Sequence, residues 1–365
     1  MDTNRALKRL YRQPVDRIPH WEHLSNPDFF GLVSGIDPYE HPRQAALKAA
    51  ELLPLDMGAP IPATDDPIER PREESSWVGE DGRRHVRWGA GSSSHWEWGN
   101  EFTSVEQAIA FQPLENLDMR EREVVCKMDF RRPVEEFARD IQGGDLLPPG
   151  APRADHLKGA GFYNTLFMWP LLTFGWEIFL ELAGGHKPEL KRLLADFACL
   201  SRKYFEAAAL TNATHCVCHD DICMARGPVC SPAWLREFIY PYYEEFWSTM
   251  KAVGIKVIFM TDGNPELIAD DIFACGADGL ISEPFTDYAA IHRRHPDKIL
   301  AGDGDNRILM TNDRAAIEAM TRRMCDLGRQ CPGYFMCIGN HIPWNIPPQA
   351  IKWYFDYSEQ YGQLG

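Results

Sequence analysis

The chain has 365 residues, 44% of them hydrophobic and 25% charged, which suits one large globular domain or two ordinary ones and excludes a disordered chain. Its formal net charge of −15 at pH 7 repels phosphate backbones and anionic membranes, leaving small molecules or basic protein patches as partners. The opening MDTNRALKRLYRQPVDRIPH lacks the apolar segment of an export signal, so the expected setting is the cytoplasm, with the ten cysteines as thiols.

In chain order, TNRALKRLYRQ spaces a short helix capped by Thr3 or Asn4. DRIPHWEHL reads as a strand running into polar residues, PRQAALKAAELL as a helix, and LPLDMGAP as a second strand. Between Ser75 and Gly99, short β-like runs broken by EDG and GAGSSS predict a β-hairpin with EDGR as its turn. The hairpin belongs to an irregular insertion over about residues 60–155, which also holds helical SVEQAIAF and RPVEEFARDI and a loop GGDLLPPGAP. The nearest approach to a membrane span, FYNTLFMWPLLTFGWEIFLELAGG, is interrupted by Asn164, Pro170, Glu177 and Glu181.

From about residue 157, apolar runs alternate with amphipathic helices. LKGAGFYNT precedes PELKRLLADFACLSRKYFEAAAL, THCVCHD precedes PAWLREFIYPYYEEFWSTMKAVG, and KVIFMTD precedes NPELIADDIFACG. ADGLISE leads to DYAAIHRRH, KILAGDG to RAAIEAMTRRMCDLG, and YFMCIGN to PPQAIKWYFDYSEQ. With the two early strands these make about eight units, which predict an α/β fold. The expected architecture is a (β/α)8 TIM-type barrel over residues 1–365 as a single domain, with the β-hairpin insertion in its N-terminal half. No glycine-rich dinucleotide fingerprint follows any strand, which counts against an open Rossmann sheet.

Barrels of this type keep their chemistry at the C-terminal ends of the strands. RIPHWEHL ends in His20, Glu22 and His23, and HCVCHDD in His219, Asp220 and Asp221, with Cys223 beyond. VIFMTDGN ends in Asp262, GLISEPF in Glu283, ILAGDGDN in Asp303 and Asp305, and YFMCIGNH carries Cys337 and His341. One Asp after a strand is more often a helix cap than a catalyst. Repetition at six strand ends is the stronger signal. His219 reads either as a site residue or as a satisfied buried histidine, and at least one of Asp220 and Asp221 reads as a loop cap. Cys216 and Cys218 share one face of a strand, a pattern that core packing explains. GDGDN lacks the spaced oxygen ligands of a calcium loop.

The stretch GPVCSPAWLREFIYPYYEEFWSTMKAVGIKVIFMTDGN resembles the uroporphyrinogen decarboxylase superfamily. The similarity runs on through GADGLISEP, ILAGDGD and GNHIPWNIPPQAI, touches LYRQPVDRIPH, and is weakest between residues 60 and 155. That superfamily holds decarboxylases and corrinoid-linked methyltransferases, and the resemblance implies a (β/α)8 barrel with a deep polar pocket at the strand ends. The decarboxylases resemble one another in an arginine-rich segment that grips porphyrinogen carboxylates. The matching PHWEHLSNPDFF has no arginine, which counts against a polycarboxylate substrate. The zinc methyltransferases carry H-x-C on the strand that here reads FMTDGN, and a further Cys on the last strand. The resemblance thus puts Met260 and Asp262 at the H-x-C positions and Cys337 at the later Cys. The implied zinc would sit on Asp262, Cys337 and Glu283, with His219 or His341 as further ligands. Asp binds zinc through oxygen, whereas Met is a poor zinc ligand.

The expectation is a methyltransferase that moves a methyl group from a small methylated compound, a methoxylated aromatic or a methylamine, to a separate corrinoid protein. Zinc, or a protonated carboxyl, would stabilise the leaving oxygen or nitrogen. Crowded carboxylates would raise the pKa of at least one of them unless a cation neutralises them. Asp262, His341 and His219 are the expected catalytic residues, and His20, Trp21, Glu22, Tyr163, Asp221, Glu283 and Asp303 the expected substrate contacts. The rings of Trp21, Phe162, Tyr163 and Trp169 read equally as a substrate wall or as core. The corrinoid is expected on the partner and not in this chain, nucleic acid and membrane are not expected, and self-association into a homo-oligomer is left open. Two other readings stay open: a metal-free lyase or decarboxylase using Asp262 and His341 on a small organic acid, and a binding barrel that has lost catalysis.

Overall fold

The computed structural model describes residues 3–58, 61–70, 76–78, 84–89, 92–95, 101–120, 128–141, 145–148, 151, 153 and 156–365. The fold is α/β, of the (β/α)8 TIM type, with eight short parallel-sheet strands and helices between them along the chain. Two compact units divide the chain: Met1–Trp96 with Ile281–Gly365, and Glu97–Leu280.

In the first unit the strands Leu55–Met57, His20–Trp21, Tyr334–Ile338 and Ile299–Gly304 lie side by side in that order, all parallel. Tyr334–Ile338 is buried at every position, as a strand covered on both faces should be. Helix Pro27–Ser34 is absent from the sequence reading, although its signals are local. Asn26 caps it by accepting from the Phe29 N–H, Pro27 fits the first turn, and Gly35 closes it at a φ of 73°. The expected hairpin is present as the antiparallel pair Ser76–Val78 and Arg84–Gly89, and Ser92–His95 adds a third strand. Its turn EDGR, and part of the loop GGDLLPPGAP, lie outside the described residues.

In the second unit the parallel strands run in the order Gly159–Phe162, His215–His219, Lys256–Met260. The last two pair so that Met260 stands opposite His219. The eighth strand, Gly279–Ile281, begins in this unit. The helix Lys187–Ala209 buries Leu190, Leu193, Leu194, Phe197 and Tyr204, the spacing of one apolar face. The segment PAWLREFIYPYYEEFWSTMKAVG, expected as one helix, forms two, Pro232–Phe238 and Tyr240–Ala252. Pro241 has no N–H to give, and its ring obstructs the turn before it. The apolar stretch that came nearest to a membrane span likewise forms Met168–Phe174 and Trp176–Gly185, parted at Gly175, whose φ is 81°. Among the described residues no helix is long and apolar enough to cross a membrane. Cys216 and Cys218 are both in the core.

Candidate functional site

The site forms where the strands His215–His219 and Lys256–Met260 end. Side chains alternate across a strand, so His219 and Asp221 share one face and Asp220 turns to the other. The backbone pairing continues past the strand, the Asp220 N–H donating to Met260 O at 3.0 Å. Asp221 and Asp262 therefore emerge side by side. The Asp262 N–H donates to Asp221 Oδ1 at 3.0 Å, and His219 Nε2 lies 2.9 Å from the same oxygen. Tyr163, just beyond the strand Gly159–Phe162, donates its hydroxyl to Asp221 Oδ2 at 3.3 Å and lays its ring 4.2 Å from that of His219.

The glycine after Asp262 has a steric cause. Gly263 has a φ of 75°, and a Cβ there would meet the Met224 carbonyl carbon at 2.4 Å. The close approach is secured by the Asn264 N–H, which donates to Met224 O at 2.9 Å. The strand end can thus turn sharply while leaving the Asp262 carboxylate beside Asp221.

His219 and Asp221 keep only 13% and 17% of their side chains exposed, so each strongly affects the charge of the other. Burial opposes charge on His219, but Asp221, joined by Asp262 and Asp220, outweighs it and holds the imidazole above its ordinary pKa. Burial also opposes charge on Asp221, yet His219, the Asp262 N–H and the Tyr163 hydroxyl bring that carboxyl below its ordinary value. The carboxylates crowded at this strand end thus favour positive charge on the His219 ring. Burial, then Asp221 and Asp262, push the Tyr163 phenol up, so it stays protonated and donates.

Asp220 is fully buried. Its Oδ2 accepts from the Leu166 N–H at 2.6 Å, the Phe167 N–H at 2.8 Å and the Tyr243 hydroxyl at 2.6 Å, and its Oδ1 from the Met168 N–H at 2.8 Å. Of the adjacent aspartates, Asp220 is the cap and Asp221 faces the site. Burial pushes the Asp220 carboxyl up to about 7, against the pull of those four donors.

Among the described residues, His219, Asp221 and Asp262 are the one group of three His, Cys, Asp or Glu side chains able to hold a metal ion. Their donor atoms all lie within 4.8 Å of one another. One nitrogen and two oxygens suit zinc, and three protein ligands leave a fourth position for substrate or water.

The remaining expected site residues belong to the first unit. His20 and Glu22, expected against substrate, are instead fully buried in a closed network. Glu22 Oε1 accepts from the Tyr354 hydroxyl at 2.6 Å and lies 3.0 Å from His20 Nδ1, and its Oε2 accepts from the Ile338 N–H at 2.9 Å. His20 Nε2 lies 2.7 Å from Ser358 Oγ. These side chains bind the helix Pro348–Tyr361 to the strands, a structural duty. Trp21 is buried with its ring 5.6 Å from that of Phe335, and Phe162 stacks on Tyr204 at 4.1 Å, so both rings are core. Trp169 is core as well, its Nε1–H donating to Ser201 Oγ at 2.8 Å.

Asp303, at a φ of 73°, pairs with Arg323, whose Nε–H donates to Oδ2 at 3.1 Å. Cys337 is buried and directs its thiol to Ile338 O at 3.2 Å, and burial, with the charge of Glu22, pushes that thiol well up. Glu283 Oε1 accepts from Asn340 Nδ2 at 3.0 Å. His341 has its Nε2 buried without a hydrogen-bond partner among the described residues. Burial, then the neighbouring His23, push its ring down to about 4, so it is neutral at pH 7.

Residues 174–361, just over half of the chain, match the family model described as uroporphyrinogen decarboxylase (URO-D). No curated protein matches the chain. Among solved structures, a methyltransferase from Methanosarcina mazei is similar over 99% of this chain and 99% of its own, with a TM-score of 0.60 at 16% identity. A xylose isomerase-like TIM barrel protein from Mycobacterium smegmatis, in complex with magnesium, is similar over 48% of this chain and 70% of its own, with a TM-score of 0.29 at 13% identity. The likeness to the Methanosarcina structure agrees with the fold described above.

Proposed function

The chain belongs to the uroporphyrinogen decarboxylase family, and on that premise we propose that it is a methyltransferase. It takes a methyl group from a small methylated compound, a methoxylated aromatic or a methylamine, and passes it to the cobalt of a corrinoid carried by a separate protein. The observation that carries this reading is the cluster of His219, Asp221 and Asp262 at adjoining strand ends. The similarity in fold to a methyltransferase adds to it.

His219, Asp221 and Asp262 are the residues proposed to hold zinc, in place of a set containing the Cys337 thiolate. A zinc ion bound there would supply a Lewis acid to the leaving oxygen or nitrogen. The chain's own side chains prepare that position. Tyr163 and the Asp262 N–H hold the Asp221 carboxylate from two sides, and the Tyr163 ring lies against His219. In the transfer the bond from carbon to the heteroatom breaks and its electron pair stays on the heteroatom, which takes up a proton. The Co(I) pair of the partner makes the new cobalt–carbon bond. That proton would come from solvent at the open fourth position beside Asp262.

The test is an anaerobic assay with chemically reduced cobalamin and a donor panel of methanol, trimethylamine and a methoxybenzoate, read by the loss of Co(I) absorbance. Donor-dependent loss with the parent protein, and not with His219→Ala, is the expected result. No loss with any donor, in protein of confirmed zinc content, would overturn the reading in favour of the lyase or the binding barrel.

A further inference from the structure

We infer that Asp220 is a positioning residue for this site, clamping residues 165–168 to the end of the strand His215–His219 and thereby setting Tyr163 against His219 and Asp221. Its relevance to methyl transfer rests on the function proposed above, whereas its geometry does not.

After the strand Gly159–Phe162 the chain must turn into the helix Met168–Phe174, and the first N–H groups of a helix have no acceptor within it. Here four consecutive amides find acceptors on two consecutive residues. The Thr165 N–H donates to His219 O at 3.1 Å, and the amides of Leu166, Phe167 and Met168 donate to the Asp220 carboxylate at 2.6, 2.8 and 2.8 Å. Tyr243, on the helix Tyr240–Ala252, adds its hydroxyl at 2.6 Å, which restrains the carboxylate from rotating. Burial strengthens these hydrogen bonds, because no water competes for the donors.

The residues on either side of Asp220 explain why this clamp bears on chemistry. His219 and Asp221 face the site, and Tyr163 stands two residues before the first clamped amide. A shift of residues 165–168 against the strand end would carry the Tyr163 ring off His219 and its hydroxyl off Asp221, now 4.2 Å and 3.3 Å away. Asp220 thus couples the orientation of an imidazole and a carboxylate to the loop that follows Tyr163.

The measurement is the ring resonance of His219 in full-length protein labelled at histidine, identified by its disappearance in His219→Gln. A ring 4.2 Å away displaces that resonance by its ring current, so Tyr163→Leu is expected to return it toward the position of an isolated imidazole. Asp220→Asn sets an amide NH2 where a donor now requires an acceptor. It is expected to move the resonance in the same direction as Tyr163→Leu in protein that remains folded by circular dichroism. A folded Asp220→Asn variant with the His219 resonance in place would overturn the inference. Should that variant fail to fold, Tyr243→Phe removes one of the four donors and is expected to give a smaller move in the same direction; an unmoved resonance would overturn it equally. The readout involves no turnover, so it stands or falls apart from the methyl-transfer assay.

Discussion

Alanine at Asp262 or at His219 is expected to cut turnover by about a hundredfold or more, the scale of losing a group that handles the proton or the leaving atom. Stability of Asp262→Ala should stay within roughly 1–2 kcal/mol of the parent, as for a side chain whose duty is chemistry. The structure gives the reason for both halves of that result. Asp262 contributes its carboxylate to the cluster, but its structural bond to Asp221 comes from the backbone N–H, which alanine keeps. His219→Ala leaves Asp221 still bonded to that N–H and to Tyr163. His341→Ala is expected to lose turnover similarly, because its buried Nε2 has no hydrogen-bond partner among the described residues. Steady-state kinetics with urea unfolding on the same preparations decides the matter. Variants that unfold while keeping their activity per folded molecule would show that these residues are structural.

Glu22→Ala is expected to act in the opposite way, costing about 3–5 kcal/mol of stability, the scale of stranding several buried hydrogen-bonding partners at once. Three groups would be stranded together: the Tyr354 hydroxyl, the Ile338 N–H and the His20 ring. A buried donor without an acceptor costs its full desolvation, which exceeds what the original bond contributed net. Glu22→Gln keeps the shape and one acceptor oxygen, so it should lose less. The urea midpoint reports both. A midpoint unchanged in Glu22→Ala would show that the network adds nothing and would return Glu22 to the set of candidate substrate contacts.

The strand and helix repeat was legible because its signals are local: apolar runs of strand length, then helical spacing, repeated until the chain ends. The break before Pro241 and the helix Pro27–Ser34 were legible too, in a ring that blocks a turn and in an Asn-Pro start closed by glycine. The start of the latter stretch entered the sequence analysis only within PHWEHLSNPDFF, as the counterpart of the decarboxylases' arginine-rich segment. The pair Asp220 and Asp221 could have been separated by strand alternation alone, since His219 and Asp221 must share a face. Tyr243 as the donor to Asp220 could not be foreseen, because the two meet only through packing. The same holds more strongly for His20 and Glu22. Their partners Ser358 and Tyr354 lie 338 and 332 residues along the chain, so nothing near them in sequence signals that they are already satisfied. Polar residues at a strand end look alike in sequence whether they face a site or a buried partner from a distant helix.

A metal held by His219, Asp221 and Asp262 is the central proposal for this site, and zinc content measures it most directly. Protein purified without chelator, and after dialysis against zinc, is expected to hold about one zinc per chain, as a three-ligand catalytic site should. Cys337→Ser should keep it, because that thiol is buried, protonated and turned to a backbone carbonyl. His219→Ala and Asp262→Ala should lose it. The contrary pattern, zinc lost in Cys337→Ser and kept in His219→Ala, would contradict the proposed site, and a parent protein that takes up no zinc at all would contradict the account as a whole.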